Sequence, residues 1–121
     1  MDCIFCKIIN GDIPSYKLYE DDIVIVILDV NPDTLGHSLV IPKKHITDIT
    51  DMDNDTFTHI IDVARNIKKT LEEKLNINGL TLIQNNGDVQ EVKHFHLHLK
   101  PFYNETVENK TVEEVYQILK G

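Results

Sequence analysis

Long apolar runs, basic charge and cysteine are what this chain of 121 residues has least of, and each shortage excludes a class of function. The longest uncharged apolar run, Ile23 to Leu28, falls far short of the roughly 20 residues that span a bilayer, so no membrane segment is expected. The opening Met1-Asp2-Cys3-Ile4-Phe5-Cys6-Lys7 has an acid where a secretory signal is basic, and it lacks an apolar core. A cytoplasmic protein is the expectation. Lys and Arg number 12 against 20 Asp and Glu, a formal net charge of -8, which argues against a nucleic acid polymer as partner. A single small phosphate ester survives that argument, because a few histidines and N–H groups can hold it without a basic face. With two cysteines, three apart, in a reducing compartment, a structural disulfide is a poor reading and a metal or redox role rises.

Repeats, low-complexity tracts and Pro/Gly/Ser linkers are also missing. What is present, 41% hydrophobic and 26% charged residues, suits one globular core that folds without metal or disulfide. Tyr16 to Glu20 and Ile23 to Asp29 are β-prone runs around the acidic pair Asp21-Asp22, a hairpin pattern, and His37 to Ile41 resumes a strand that Pro42 ends. From Asn54, Phe57, Ile60, Ile61, Ala64, Ile67, Leu71 and Leu75 recur every three or four positions, the stripe of one long helix. Asp53 or Asn54 caps its start and Asn78-Gly79 its end. Leu80 to Gln84 and Val92 to Phe102 read as two more strands, and Thr111-Val112-Glu113-Glu114 has capping-box spacing before a closing helix. A short helix or turn is expected over Cys3 to Ile9. The expected class is α+β: a five-stranded antiparallel meander sheet with one long helix and short N- and C-terminal helices.

The stretch His94-Phe95-His96-Leu97-His98-Leu99 carries the chemistry. In a strand, side chains alternate faces, so His94, His96 and His98 are expected to project together while Phe95, Leu97 and Leu99 enter the core. A solvated histidine stripe would show the same pattern. Imidazole is largely the free base at neutral pH, a nucleophile suited to phosphorus that also shuttles protons.

Together with Ile4-Phe5-Cys6-Lys7-Ile8, Leu28-Asp29-Val30, the run from Gly36 to His45 and Asn85-Asn86-Gly87, this stretch resembles the histidine triad family, in its branch of nucleoside phosphoramidases. The resemblance covers about residues 3 to 102. It marks 1–103 as a histidine triad domain and 104–121 as a C-terminal extension with a helix. It implies cleavage of a purine nucleoside monophosphate conjugate through a covalent nucleotidyl-histidine, in a homodimer whose two sheets join. Carried onto this sequence, His96 is the nucleophile, His98 contacts the phosphate and aids the leaving group, and His37 is a further active-site histidine. Asp29 accepts the ribose hydroxyls, while Asn85 and Gln90 lie beside the ribose-phosphate. Ile4, Phe5, Ile8, Ile27 and Val30 match the base pocket, although a plain core would use the same residues. One position departs from the pattern: Val89-Gln90-Glu91 stands where the family has Gly-Gln-Ser/Thr, so a carboxylate replaces a hydroxyl that faces phosphate or leaving group. That exchange is unfavourable unless Glu91 points away or meets a cationic leaving group.

Cys3-x2-Cys6 with His45 and His94 forms the second constellation. Zinc takes four N/S ligands, and this cysteine spacing lets one turn supply two of them. Incidental thiols or a redox pair share the spacing. The resemblance implies zinc on these four residues, closed and structural. His59, in the long helix, reads as a solvated surface residue. A dinucleoside polyphosphate hydrolase, and a non-catalytic nucleotide-binding or zinc-organised interaction protein, are the competing functional readings.

Overall fold

Val24–Leu28 and Ser38–Pro42 are buried at every position, and strands bury both faces only when layers cover the sheet on both sides. The computed structural model describes residues 3–121; Asp2, on which the reading of the N-terminus partly leans, lies outside them. In chain order the elements are α1 (Ile4–Ile9), β1 (Lys17–Glu20), β2 (Val24–Leu28), β3 (Ser38–Pro42), α2 (Asn54–Leu75), β4 (Gly79–Gln84), β5 (Leu97–Phe102) and α3 (Val112–Lys120). Val24, Val26 and Leu28 join Val40, Leu97 and Leu99 beneath α2 and α3, in one core with Ile60, Ala64, Ile67, Leu71, Val115 and Leu119. The alternate residues Ile25, Ile27, Leu39 and Ile41 face the other way and pack with Cys3 and Phe5 of the N-terminal segment.

Helix α2 follows its sequence signals at the start, where the Asp53 carboxylate accepts the Thr56 N–H at 2.9 Å. Its end comes earlier than expected. Asn76, at φ 54°, takes the left-handed cap itself, and Gly79 is left to open β4. The capping box of α3 forms as read, with Thr111 and Glu114 bonding reciprocally. His59 is no free surface residue: its Nε2 lies 2.6 Å from Asp21 Oδ2, which ties the β1–β2 turn to α2.

All strand pairs are antiparallel, in the order β1-β2-β3-β5-β4. The sheet is therefore a meander only through β3. The chain then crosses by α2 to the edge and returns, so β5 sits between β3 and β4. Burial explains the choice, since Leu97 and Leu99 of β5 lie in the core whereas Thr81 and Leu82 of β4 are exposed. β5 is also shorter than the expected Val92–Phe102. Pairing with β3 stops at Val40 and Leu97, and beyond it the Phe95 N–H donates to the Ile46 carbonyl at 2.7 Å. Pro42 has no N–H with which to extend the ladder.

Gly36 sets the entry to β3. At φ +89° it occupies the left-handed region, and a Cβ there would come within 2.8 Å of a Leu75 methyl and 3.3 Å of Pro101. The loop thus lies flat on α2 and β5 and delivers His37 to the opposite face.

Candidate active site and metal centre

Because β5 begins only at Leu97, the three histidines do not share one strand face. His98, within the strand, and His96, just before it, stand side by side with ring centroids 5.0 Å apart. His94 is fully buried and turned toward Cys3, Cys6 and His45. Period-two alternation holds for the last two histidines and fails for the first, which the backbone has already rotated out of the ladder.

In the neutral form of each ring, hydrogen bonds fix which nitrogen carries the proton. His96 Nδ1 faces the His94 carbonyl at 2.8 Å, so it is the donor and Nε2 keeps a bare lone pair. His37 Nδ1 accepts the Asp33 N–H at 3.1 Å, which puts its proton on Nε2. That Nε2–H donates to His98 Nδ1 at 2.9 Å and leaves the His98 proton on Nε2. Burial lowers His37 below the ordinary value; Lys100 adds to this and Asp29 and Asp33 oppose it. His98 is lowered to about 4, first by burial and then by His96, His37 and Lys100. A bare nucleophilic nitrogen and a proton donor therefore stand on adjacent rings.

A cavity of about 240 Å³ opens beside them. Of the residues singled out in the sequence, Ile4, Phe5, Ile8, Ile27, Asp29, Val30 and Glu91 line it with His96 and His98. Phe5 packs edge-on against His96, with centroids 5.0 Å apart. His37 is 3% exposed and backs His98 without lining the cavity. Asn85 and Gln90 are not in the wall: Gln90 turns inward and donates to the Thr47 carbonyl at 2.6 Å. Ile13, Pro14 and Ser15, which the sequence reading passed over, complete one side. A proline closing the turn after α1 was their only signal.

The second constellation assembles behind the first. His94 Nδ1 lies 3.1 Å from His45 Nδ1, 3.4 Å from Cys3 Sγ and 3.6 Å from Cys6 Sγ, and Cys6 Sγ is 3.3 Å from His45 Nδ1. Zinc bonds of about 2.0–2.3 Å set tetrahedral ligands roughly 3.3–3.8 Å apart; the separations of 3.1 to 3.6 Å lie close to that and all four ligand atoms fall within 4.8 Å of one another, so the residues could hold the ion. His94 Nε2 donates to the Pro42 carbonyl at 2.8 Å, leaving Nδ1 unprotonated toward the cluster. Burial, then Cys3, pushes the Cys6 thiol up, so thiolates here call for a cation between them. Cys3 also caps α1, its sulfur accepting the Cys6 N–H at 3.3 Å.

Asp29, His37 and His98 form another group of potential ligands, but its geometry differs. The His37 and His98 centroids are 5.1 Å apart, close to the 2.9 Å nitrogen separation plus two ring radii. Their nitrogens point straight at each other, as in a hydrogen bond. At His45 and His94 the centroids are only 4.7 Å apart for a 3.1 Å nitrogen separation, so the lone pairs converge on a point off that line.

Fold and site define a histidine-lined α+β domain with a Cys2His2 cluster that could hold a metal. Residues 10–105 match the family described as the HIT domain, and the chain belongs to that histidine triad family. An uncharacterised HIT-like protein of Methanocaldococcus jannaschii is 42% identical over 98% of this chain and 99% of its own length. An adenosine 5'-monophosphoramidase of Schizosaccharomyces pombe is 38% identical over 87% of this chain and 77% of its own. A crystal structure of a Zn-bound histidine triad family protein from Mycobacterium smegmatis superposes with a TM-score of 0.90 at 36% identity, covering 99% of this chain and 91% of that one. No helix among the described residues is long and apolar enough to cross a membrane.

Proposed function

We propose that the protein hydrolyses purine nucleoside phosphoramidates through a covalent nucleotidyl-histidine. The observation that carries the reading is the pairing of a bare His96 Nε2 with a proton on His98 Nε2 beside one cavity. The His96 lone pair attacks the α-phosphorus and the P–N bond breaks. His98 Nε2–H donates a hydrogen bond to the departing nitrogen, which takes a proton from solvent and leaves as the neutral amine. Water then attacks the phosphorus, gives its proton to solvent, and releases the monophosphate from His96. His37 positions His98 by holding its Nδ1. Asp29 takes the ribose hydroxyls, and the base lies among Ile4, Phe5, Ile8, Ile27 and Val30. A named monophosphoramidase relative supports the substrate class. Asn85 and Gln90 have no part in this reading, because neither lines the cavity.

Cys3, Cys6, His45 and His94 would hold a zinc ion, which supplies a closed structural junction rather than an open coordination position. These residues fasten α1, a wall of the cavity, to the segment that carries His96. The chain pairs with a second copy through β4, the edge where Leu82 is 47% and neighbouring Phe102 57% exposed. The other edge, β1, is guarded by a bulge and by Lys17 and Lys43 on Glu20.

A panel of adenosine and guanosine phosphoramidates and dinucleoside polyphosphates, with products identified chromatographically, tests the assignment. Release of amine and monophosphate from the phosphoramidates supports it. Turnover of dinucleoside polyphosphates alone would transfer the site to the competing hydrolase class.

A further inference from the structure

The wall of the substrate cavity contains Asp29 and Glu91 but, among the described residues, no Lys or Arg. Of the ammonium groups around it, Lys93 donates to the Gly87 carbonyl and Lys100 pairs with Asp33, each at 2.5 Å, while Lys110 lines an adjoining pocket on the other side of Asp29. Neighbouring His98 is held neutral first by burial, with the Lys100 ammonium adding to it. A phosphate-bearing ligand thus enters a site whose fixed charges are both negative. Asp29 is engaged, its Oδ1 accepting the Asn31 N–H at 2.9 Å. Glu91 is exposed, on the segment leading to the triad, and borders the cavity together with Val92, His96 and His98.

We infer that Glu91 is a specificity-determining residue that selects substrates whose leaving group carries an ammonium or other cation, and disfavours free monophosphate. The inference rests on the hydrolytic reading of the same site. A monoanionic phosphoramidate with a cationic tail is neutral overall, and its cation can meet Glu91 where the leaving group departs. A monophosphate dianion brings only charge of the wrong sign, so the carboxylate also promotes product release. Being exposed, Glu91 works through solvent and its effect is open to salt.

The test compares wild-type protein with Glu91→Gln, which keeps shape and removes charge, on two phosphoramidates of one nucleoside: an alkylamine conjugate and one of equal length ending in a second, charged amine. Wild type should favour the charged substrate in kcat/KM by tenfold or more, and the ratio should shrink in high salt. Glu91→Gln should bring the ratio near one and tighten monophosphate binding about tenfold, or roughly 1.4 kcal/mol. Calorimetric binding of the monophosphate and of an uncleavable, ammonium-bearing analogue keeps the question independent of turnover. If binding shows the preference and neither substrate is cleaved, the hydrolytic reading fails and the role of Glu91 stands. A charged-to-neutral ratio that Glu91→Gln leaves unchanged overturns the inference. So does a gain in monophosphate affinity on adding magnesium, abolished by Glu91→Gln, with no preference among leaving groups.

Discussion

At the scale of single residues, the site is a set of proton positions imposed by backbone groups. The His94 carbonyl keeps the proton on His96 Nδ1, and the Asp33 N–H keeps it off His37 Nδ1. His96→Ala is expected to abolish phosphoramidate turnover while nucleotide affinity stays within a few fold, since the apolar wall remains; equilibrium binding with single-turnover kinetics checks both halves. His37→Phe removes the donor to His98 Nδ1 and should lower kcat more than it changes KM, whereas a purely structural His37 would leave kcat intact in the folded variant. The alternation of the triad revealed that His96 and His98 share a face. It held no sign that His94 turns away, because a side-chain pattern does not mark where a backbone leaves its ladder. Likewise Gln90, polar and beside the motif, gave no hint that it would be spent on the Thr47 carbonyl.

Elements were legible where their signals are local. The α2 stripe, the β1–β2 hairpin and the α3 capping box depend on residues a few positions apart, and all three stand where the sequence puts them. Strand order depends on which distant strand is most apolar, a comparison that hairpin patterns do not contain, and so β5 rather than β4 lies beside β3. The tie between α2 and the hairpin was missed for the same reason. Asp21 Oδ1 accepts the Ile23 and Val24 N–H groups, and its Oδ2 accepts from Tyr19 and faces His59. Burial works to raise its pKa, but those bonds outweigh it and hold the carboxyl well below the usual range. A depressed carboxylate stabilises the fold above its unfolded pKa, and acid removes that contribution as it protonates. Asp21→Ala is expected to cost about 1–3 kcal/mol at neutral pH by urea denaturation, and to flatten the acid limb of the stability curve. At the junction of α1 with the triad segment, Cys3→Ser or His45→Ala should remove about one zinc per chain by elemental analysis and lower the melting temperature. Protein purified without metal, with an unchanged melting point, would refute the zinc assignment.

For the whole molecule, buried neutral histidines set the response to acid. Burial first, then His96, His37 and Lys100, lowers His98 to about 4 in the folded chain against an ordinary value of 6.5, with Asp29 opposing them. Protons therefore bind the unfolded chain more readily. The stabilising contribution is complete above pH 6.5 and is lost as pH falls toward 4. Melting temperature should decline through that window, and His98→Asn should shallow the slope. Light scattering is expected to give twice the 13.9 kDa chain mass, and Leu82→Lys on the β4 edge should halve it. A monomer at micromolar concentration would contradict the joined sheet.

The crossover that places β5 between β3 and β4 also sets an order of events in time. His37 meets His98 across 61 positions, and Cys3 meets His94 across 91, whereas the β1–β2–β3 meander and α2 close on near neighbours. Loop closure makes such distant contacts slow to form. The chain is therefore expected to acquire its helix and first hairpins early and to become chemically competent last, when its two ends are drawn together. In a refolding experiment, helical ellipticity should return before nucleotide binding does.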